Sequence, residues 1–383
     1  MAAKKSPSPS SAQPATGRLK DRDVRTTKKI MELAEEMVRR ALGGQDPVIQ
    51  IPTRAKSNTI WNKKRGILEM GNATAARPLF DLKTAKQFMQ TMLHSNTIND
   101  LIAAGKTSSL RGVFYKAKHT VAGTRENTFD GQDESDPILE DLEVALGALR
   151  EELHVFAENR GSMVGNITIV DRGDEINCRK MGSGGYALPS IVEPDIIQFK
   201  KCEAKFILHV EKGTVWNRFN EDRFWEKNNC ILTHGAGQPP RGCRRLLQRM
   251  TQELKLPLIC VLDCDPWGHY IYSVIKQGSI SLAFESSRLA IPEAKFLGIR
   301  AKDFQACDLD DAVKIDLTEN DIKRAGEIAA YPWFEHHKGW QREIGQLLKN
   351  GFKMEVESLI TKDISYVTDT YVPERLKARD WID

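Results

Sequence analysis

Short apolar runs alternate with helical patterns in the second half of the chain. The runs are AKFILHVE (residues 204–211), CILTHG (230–235), LPLICVLD (256–263) and AKFLGI (294–299). Continuous apolar runs of this length are typical of buried parallel strands. A basic helix predicted over residues 241–254 and another that begins near Pro266 lie between them. The pattern therefore predicts a parallel α/β sheet.

The first half of the chain has apolar residues at helical spacing instead. One amphipathic helix is predicted over residues 23–42, and the pattern leaves open whether it packs on its own domain or docks a partner. Another helix is predicted over residues 138–152. A hairpin, NITIVDRGDEINC, follows at residues 166–178.

Three short helices are predicted between residues 81 and 121. Asp81 caps the first, the second covers residues 97–104, and Thr107 or Ser108 caps the third. This order is the pattern of helix-turn-helix DNA-binding domains, although many three-helix bundles bind nothing.

Composition sets the domain organisation. The Ser-, Pro- and Ala-rich residues 1–22 predict a disordered tail, followed by domains over 23–150 and 151–383.

Lys and Arg (56) barely exceed Asp and Glu (52), so the net charge of +4 does not by itself indicate a nucleic-acid partner. No run approaches 18 apolar residues, which predicts no membrane span. The seven cysteines form no CxxC pair, and we expect reduced core residues rather than zinc ligands or disulfides.

A tyrosine stands among basic residues on the third of these helices. Arg111, Tyr115, Lys118 and His119 are spaced so that one helical face displays all of them. Nearby positive charge favours a phenolate and can hold a phosphate. The alternative is an ordinary solvated helix face with a boundary tyrosine.

Acidic residues close two of the predicted strands. Glu211 ends FILHVE, while Asp263 and Asp265 end LICVLDCD. Ligands of open α/β sheets lie beyond the carboxyl ends of the strands, and carboxylates suit Mg²⁺. The alternative is that each acid caps the next helix.

A glycine turn and a cationic helix start lie between these acids in the sequence. The residues concerned are Gly235, Gly237, Arg241, Arg244 and Arg245. Backbone amides and arginines there are able to hold a phosphate, and a plain β-to-α turn is the equal alternative.

Glu at one strand end, a glycine turn and DxD at a later strand end resemble the TOPRIM domain of topoisomerases, primases and repair nucleases. SLRGVFY (109–115) resembles the nucleophile motif Arg-Asp/Glu-x-Tyr/Phe-Tyr of the topoisomerase VI A subunit, which its meiotic relative shares, with Gly112 in place of the usual acid. Later segments also resemble this family in its order: GGYALPSIVEP, HVEKGTVWNRF, THGAGQPPRGCRRLLQRM, LDCDPWGHYI and YVPERLKARDWID. The resemblance covers roughly residues 75–383 and favours the archaeal-type A subunit.

The resemblance implies a multidomain α/β protein, with a CAP-like winged-helix domain followed by a TOPRIM domain and a C-terminal extension. It implies that Tyr115, aided by Arg111, cleaves double-stranded DNA through a 5′-phosphotyrosyl bond. Glu211, Asp263 and Asp265 would hold Mg²⁺, and Lys118, His119, Arg241, Arg244 and Arg245 would contact DNA.

The resemblance also implies partners. Two A subunits would form a homodimer, in which the tyrosine of one protomer works with the metal site of the other. An ATPase B subunit would complete an A2B2 heterotetramer in the cytoplasm of an archaeal cell, associated with the nucleoid. No GxxxxGK[ST] phosphate loop occurs here, which agrees with ATP binding elsewhere.

Alternative functions remain open from the residues. The first is a meiotic-type transesterase that initiates recombination by cutting DNA and staying attached. A TOPRIM nuclease or primase with a structural Tyr115 is the second. A non-catalytic DNA scaffold is the third, and the complete set of acids argues against it.

Overall fold

The computed structural model describes residues 21–383, which form two compact units. The first contains the described residues up to Ile49 together with Arg77–Val155, and the second contains Gln50–Ala76 and Phe156–Asp383. Most of the predicted tail, residues 1–20, lies outside the described residues. Asp21 and Arg22, which were predicted to end that tail, are already helical.

The α-helices of residues 21–383 are α1 Asp21–Leu42, α2 Ala85–Ala103, α3 Leu110–Ala117, α4 Gln132–Leu146, α5 Gly213–Glu221, α6 Phe224–Lys227, α7 Arg241–Glu253, α8 Pro266–Gln277, α9 Ser286–Leu289, α10 Asp303–Ala306, α11 Glu319–Ala329, α12 Pro332–Glu335, α13 Lys338–Asn350 and α14 Val372–Ala378. Short 3₁₀ helices cover Lys56–Asn58, Arg150–Leu153, Cys178–Lys180, Ala283–Glu285, Asp311–Val313 and Val356–Thr361, and a π-helix covers Val367–Tyr371.

The strands of the same residues are β1 Val48–Pro52, β2 Thr59–Asn62, β3 Ile67–Met70, β4 Thr74–Pro78, β5 Ser108–Ser109, β6 Val155–Phe156, β7 Ser162–Gly165, β8 Ile167–Asp171, β9 Asp174–Asn177, β10 Tyr186–Ala187, β11 Ile197–Cys202, β12 Ile207–Val210, β13 Ile231–His234, β14 Leu258–Val261, β15 Lys295–Phe296, β16 Ile315–Asp316 and β17 Phe352–Lys353.

Helix α2 corrects the prediction of two short helices within residues 81–104. The helix runs without a break through Ser95, and the hydroxyls of Thr91 and Ser95 bond to carbonyls four residues earlier within it. Asp81 does not cap it. Its carboxylate accepts the amide of Lys83 in the preceding turn, and Thr84 occupies the cap position.

Helices α3 and α4 also begin away from their predicted starts. Ser109, one residue after the predicted caps, accepts the amide of Gly112 and begins α3. Helix α4 begins at Gln132 rather than residue 138, because Asp133 and Glu134 in its first turn favour a helix N-terminus. It ends at Gly147, whose φ of 54° is readily available to glycine.

A six-stranded sheet with the order β10-β7-β13-β12-β14-β15 organises the second unit. Strands β12, β13, β14 and β15 are parallel, which confirms the predicted parallel sheet. Strand β7 adds to β13 in the antiparallel direction, and β10 adds to β7. The predicted hairpin forms as β8 and β9, and β11 extends it into a second, antiparallel sheet.

The central strands are buried on both faces, as their continuous apolar runs predict. Ile207 packs in one core with Leu246 of α7 and Ile275 of α8. Leu208, the next residue of β12, packs in the opposite core with Trp216 of α5. Helices therefore cover both faces of the sheet, and polar side chains lie at the ends of its strands.

Residues 50–76 group with the second unit, although the sequence predicts them in the first domain. The hairpin β2–β3 supplies the physical reason. Trp61 packs against Trp333 at 6.1 Å between ring centroids, and the hydroxyl of Thr59 donates to the carbonyl of Ile280.

All seven cysteines are free, and five of them lie in the core as the sequence predicts. Cys178, Cys230, Cys243, Cys260 and Cys264 are buried, and the other two are half-buried. Among the helices of residues 21–383, none has the length and apolar character that crossing a bilayer requires.

Candidate active site

Tyr115 lies on α3 and is 58% exposed. The helix faces inward through Val113, Phe114 and Ala117, which are buried. Residue 115 therefore falls on the outward face, and the Arg111 guanidinium lies 5.7 Å from the centre of its ring. An exposed phenol beside a permanent positive charge suits attack on a phosphate.

Gly112 stands where the family motif has an acid. Its amide donates to the hydroxyl of Ser109, which fixes the first turn of α3. A Cβ atom at this position would lie 2.3 Å from Oγ of Ser108, so a larger residue requires that side chain to move. The glycine therefore fits the close approach of Ser108 to the helix.

Lys118 and His119 do not share the helical face of Arg111 and Tyr115. Helix α3 ends at Ala117, and Lys118 has extended backbone angles. The Lys118 ammonium donates to the carbonyl of Asp130 and lies 5.1 Å from the centre of the Phe114 ring. The prediction that one helical face displays all of them is wrong because the helix is too short to reach residues 118 and 119.

Glu211 and Asp263 follow adjacent parallel strands. Val210, the last residue of β12, pairs with Val261, the last residue of β14. The amide of Glu211 donates to the carbonyl of Val261, and the amide of Asp263 donates to Oε2 of Glu211 at 3.3 Å. The predicted sheet edge thus brings these acids together.

Burial and mutual repulsion perturb the acids. Burial, followed by the charge of Asp263, raises the pKa of Glu211 to about 8. Burial also raises the pKa of Asp263 to about 6, against the opposing effect of Lys212. The pKa of Asp265 is raised as well, and burial is the main cause. Charged carboxylates are therefore unfavourable here without a cation.

Each carboxylate also has protein partners. Oδ1 of Asp263 accepts the amide of Val356, and Oδ2 accepts the Lys212 ammonium, each at 2.8 Å. Asp265 caps α8 by accepting the amide of Gly268, so the contact that the capping alternative predicts is present, and it leaves a metal role for this residue untested. Among residues 21–383, no three His, Cys, Asp or Glu side chains are grouped closely enough to hold a metal ion as they stand.

The donor set nevertheless fits a hard divalent cation. The residues are oxygen donors, they follow neighbouring strands, and burial raises the pKa of each. A divalent ion would offset the cost of burying negative charge, which is the main cause of these raised pKa values, and also the smaller repulsion between the acids. Glu211, Asp263 and Asp265 are the residues that would hold it, once their side chains had rearranged to bring their oxygens together.

The glycine turn after β13 contacts the same edge. The amide of Gly237 donates to the carbonyl of Glu211, and Arg160 donates to the carbonyl of Ala236. A Cβ atom at Gly235 would lie 2.6 Å from Cα of Pro239, so the turn is too tight there for a side chain.

The arginines of α7 make ion pairs within the second unit. Arg241 pairs with Glu285 at 2.8 Å, and Arg245 pairs with Glu193 at 2.7 Å. Arg244 is only 5% exposed and lies 3.9 Å from Glu285. These contacts hold neighbouring loops against α7, and DNA contact by these residues stays a prediction.

Lys212, Glu355 and Glu357 were missed by the sequence interpretation. Lys212 directly follows Glu211, and this adjacency was the available signal. Burial lowers the pKa of Lys212, but its hydrogen bonds to Asp263 and Glu355 outweigh burial and raise it overall. The two glutamates follow β17, far away in the sequence, and no local pattern connects them with the site.

Known families match three consecutive parts of the chain. Residues 86–155 match the family described as type IIB DNA topoisomerase, and residues 157–203 match the all-beta domain in the alpha chain of DNA topoisomerase VI. Residues 206–376 match the Toprim domain that Spo11 shares with the A subunit of topoisomerase 6. The predicted TOPRIM domain is thereby confirmed.

Similar proteins cover nearly the whole chain. The A subunit of type 2 DNA topoisomerase 6 from Pyrococcus horikoshii is 40% identical, over 91% of this chain and 93% of that protein. The corresponding protein of Hyperthermus butylicus is 38% identical, over 94% and 98%. The A3 subunit of DNA topoisomerase 6 from Oryza sativa subsp. indica is 32% identical, over 93% and 78%. The resemblance found in the sequence is confirmed, and the chain belongs to the family of type 2 DNA topoisomerase 6 A subunits, which are type IIB DNA topoisomerases.

Proposed function

We propose that this chain is the subunit that cleaves and religates double-stranded DNA, with Tyr115 as the nucleophile. The observation that carries the proposal is the position of Tyr115, exposed on α3 with the Arg111 guanidinium 5.7 Å from its ring. The fixed charge of Arg111 orients a DNA phosphate toward the phenol.

The reaction is a transesterification. The phenolic oxygen of Tyr115 attacks a backbone phosphorus and loses its proton to solvent. The bond from phosphorus to the 3′ oxygen breaks, and that oxygen takes up a proton and leaves as a 3′ hydroxyl. Tyr115 remains joined to the 5′ phosphate. The number of phosphoester bonds is unchanged, so the reverse attack reseals DNA without an energy source.

Glu211, Asp263 and Asp265 hold Mg²⁺ in this proposal. A bound Mg²⁺ supplies electrostatic stabilisation of the negative charge that develops on the phosphate oxygens. The contribution of the chain is to collect the carboxylates at one sheet edge. The amide of Val356 fixes Oδ1 of Asp263, and the cap of α8 fixes Asp265.

The first unit is proposed to bind DNA as a CAP-like winged helix. Helices α2 and α3 supply the helix-turn-helix pattern. A hairpin follows, in which Thr120 pairs with Asn127 and the amide of Thr128 donates to the carbonyl of His119. His119 therefore lies at the base of a wing-like hairpin, where it is exposed and available to DNA.

We infer the assembly from the resemblance to the family. Two copies of this chain form a dimer in which Tyr115 of one protomer works with the acids of the other. A separate ATPase B subunit, which the names of the relatives suggest by calling each of them a subunit, drives strand passage in an A2B2 complex. We place this complex on the DNA in the cytoplasm of an archaeal cell.

One experiment tests the proposal. The chain, its ATPase partner, ATP, Mg²⁺ and supercoiled plasmid are combined, and the reaction is stopped with detergent. Linear DNA with protein attached to its 5′ ends is expected, together with relaxed plasmid. Free 5′ ends would indicate a nuclease instead. Attached protein without relaxation or decatenation would favour the recombination initiator.

A further inference from the structure

Lys212 joins the acids of the candidate metal site to a second acidic segment. Its Nζ atom lies 2.8 Å from Oδ2 of Asp263, 2.9 Å from Oε1 of Glu355 and 3.4 Å from Oε2 of Glu357. The Lys212 side chain is 26% exposed, and that of Asp263 is 4% exposed. The ammonium is therefore the positive charge in direct contact with the most buried acid of the site.

The backbone of residues 354–356 fixes this arrangement. The amide of Cys264 donates to the carbonyl of Met354, and the amide of Met354 donates back to Cys264. The next contact is the bond from the amide of Val356 to Oδ1 of Asp263. Glu355 and Glu357 are thus attached to the chain segment that carries Asp263.

Both carboxylate oxygens of Asp263 therefore already have a partner before a divalent ion arrives. Oδ1 is held by a backbone amide, which cannot move away without breaking the bridge to residue 264. Oδ2 is held by Lys212, a compact charge on a flexible stem. A divalent ion that approaches Asp263 therefore competes with Lys212 for Oδ2.

We propose that Lys212 is a resident counter-ion that releases Asp263 when a divalent ion binds, and that this exchange sets the ion concentration at which the site fills. The inference rests on the metal site of the proposed function and adds a positioning residue to it. The exchange replaces one cation with another, so the buried carboxylate is never left unpaired.

The released ammonium has a place to go. Glu355 is 50% exposed, and Glu357 is 29% exposed and accepts the hydroxyl of Thr214 at 2.8 Å. Lys212 is able to keep both glutamates as partners while its stem rotates away from Asp263. The two glutamates thereby lower the energy needed to open the site.

The test is titration of the purified full-length chain with Mn²⁺, without DNA, followed by isothermal calorimetry and by the electron paramagnetic resonance signal of free Mn²⁺. Lys212→Met should bind Mn²⁺ roughly ten-fold more tightly, the effect of losing about 1.4 kcal/mol of competition. Lys353→Met is the matched control. Lys353 acts electrostatically on Asp265 but pairs with Asp321 at 2.9 Å, so its removal frees no oxygen of Asp263.

Several outcomes would overturn the proposal. Equal tightening by both substitutions would show only a general effect of charge. Unchanged or weaker binding by Lys212→Met, or no binding by either protein, would show that no exchange occurs. Lys212→Gln, which is neutral but keeps a polar end, takes the place of Lys212→Met if melting in EDTA shows that the latter is unfolded. The proposed function fails separately, when the wild-type chain forms no covalent adduct with DNA.

Discussion

The backbone amide of Asp263 lies 3.3 Å from Oε2 of Glu211, so the acids that follow two neighbouring strands are hydrogen-bonded to each other. The contact depends on parallel strands that end in register, Val210 beside Val261. The amide favours the charged form of Glu211, whereas burial and the charge of Asp263 disfavour it, and a bound cation would offset both of these. A chemical role for the acids predicts loss of cleavage when one of them is changed, whereas a purely structural role predicts loss of stability. The Asp265 variants below distinguish the two roles.

Tyr115→Phe should abolish covalent adducts with DNA while leaving the fold unchanged, because an exposed side chain loses only its oxygen. Protein-linked DNA is measured after a detergent stop, and folding is measured by thermal melting. Tyr270→Phe is the control, since Tyr270 also lies beneath a guanidinium, 4.9 Å from that of Arg324. Adducts that persist in Tyr115→Phe would identify another nucleophile.

Arg111→Ala should slow cleavage by roughly 100-fold, the effect of losing about 3 kcal/mol of charge-assisted phosphate contact. Single-turnover cleavage rates check this value. Lys116→Ala is the matched control, because it removes a positive charge from the same helix. Lys116 pairs with Asp100 at 3.0 Å. Equal rates for Arg111→Ala and wild type would mean that Arg111 does not hold the scissile phosphate.

Asp265 permits its two roles to be separated, because asparagine caps helices about as well as aspartate. Asp265→Asn should keep the cap of α8 and its stability but lose Mg²⁺-dependent cleavage. Asp265→Ala should lose cleavage and also about 1 kcal/mol of stability. Urea denaturation and plasmid cleavage measure the two effects. Wild-type cleavage by Asp265→Asn would leave the residue as a cap alone.

His94 should make the first unit sensitive to acid. It is fully buried, stacks on Phe129 and lies 3.0 Å from the hydroxyl of Ser135. Burial lowers its pKa from 6.5 to about 4. The unfolded chain therefore takes up the proton first, so this stability is fully present above pH 6.5 and is lost as the pH falls toward 4.

The loss should be roughly 3 kcal/mol across this interval. Denaturation curves of wild type and His94→Gln between about pH 4 and pH 7 measure it, and the variant should have the shallower dependence on pH. The exposed residue His336, changed to Gln, is the control and should leave the dependence unchanged. Parallel curves for His94→Gln and wild type would contradict the assignment.

The sequence predicted that Glu211 and Asp263 meet at one sheet edge, because the signal for this arrangement is local. Strands β12 and β14 are continuous apolar runs, and the acids directly follow them. Parallel strands place such ends side by side whatever the rest of the chain does. Glu355 has no comparable signal, since contacts between distant parts of the chain bring its segment to the site, such as the bridge between Cys264 and Met354.

Helix ends and domain membership were predicted less well. The spacing of Lys118 from Arg111 fits a helical face, but α3 ends at Ala117 and Lys118 turns toward Asp130. Residues 50–76 join the second unit through contacts such as Trp61 with Trp333. Such contacts between distant parts of the chain leave no pattern in a local window.

Mixed dimers test whether the two halves of the active site come from different protomers. A heterodimer of Tyr115→Phe and Asp263→Asn chains, purified through two different tags, should contain one competent site. That site combines Tyr115 of one chain with the acids of the other, and it should nick one strand without cutting both. The reciprocal control pairs wild type with a chain that carries both substitutions. If the halves come from different protomers, neither site of this control is competent, because each has lost one half. If both halves come from one protomer, the pattern reverses: the control nicks DNA and the first heterodimer is inactive. Gel separation of nicked, linear and supercoiled plasmid distinguishes these cases, provided that both heterodimers bind DNA equally. Nicking by the control alone would therefore reject the arrangement across the dimer.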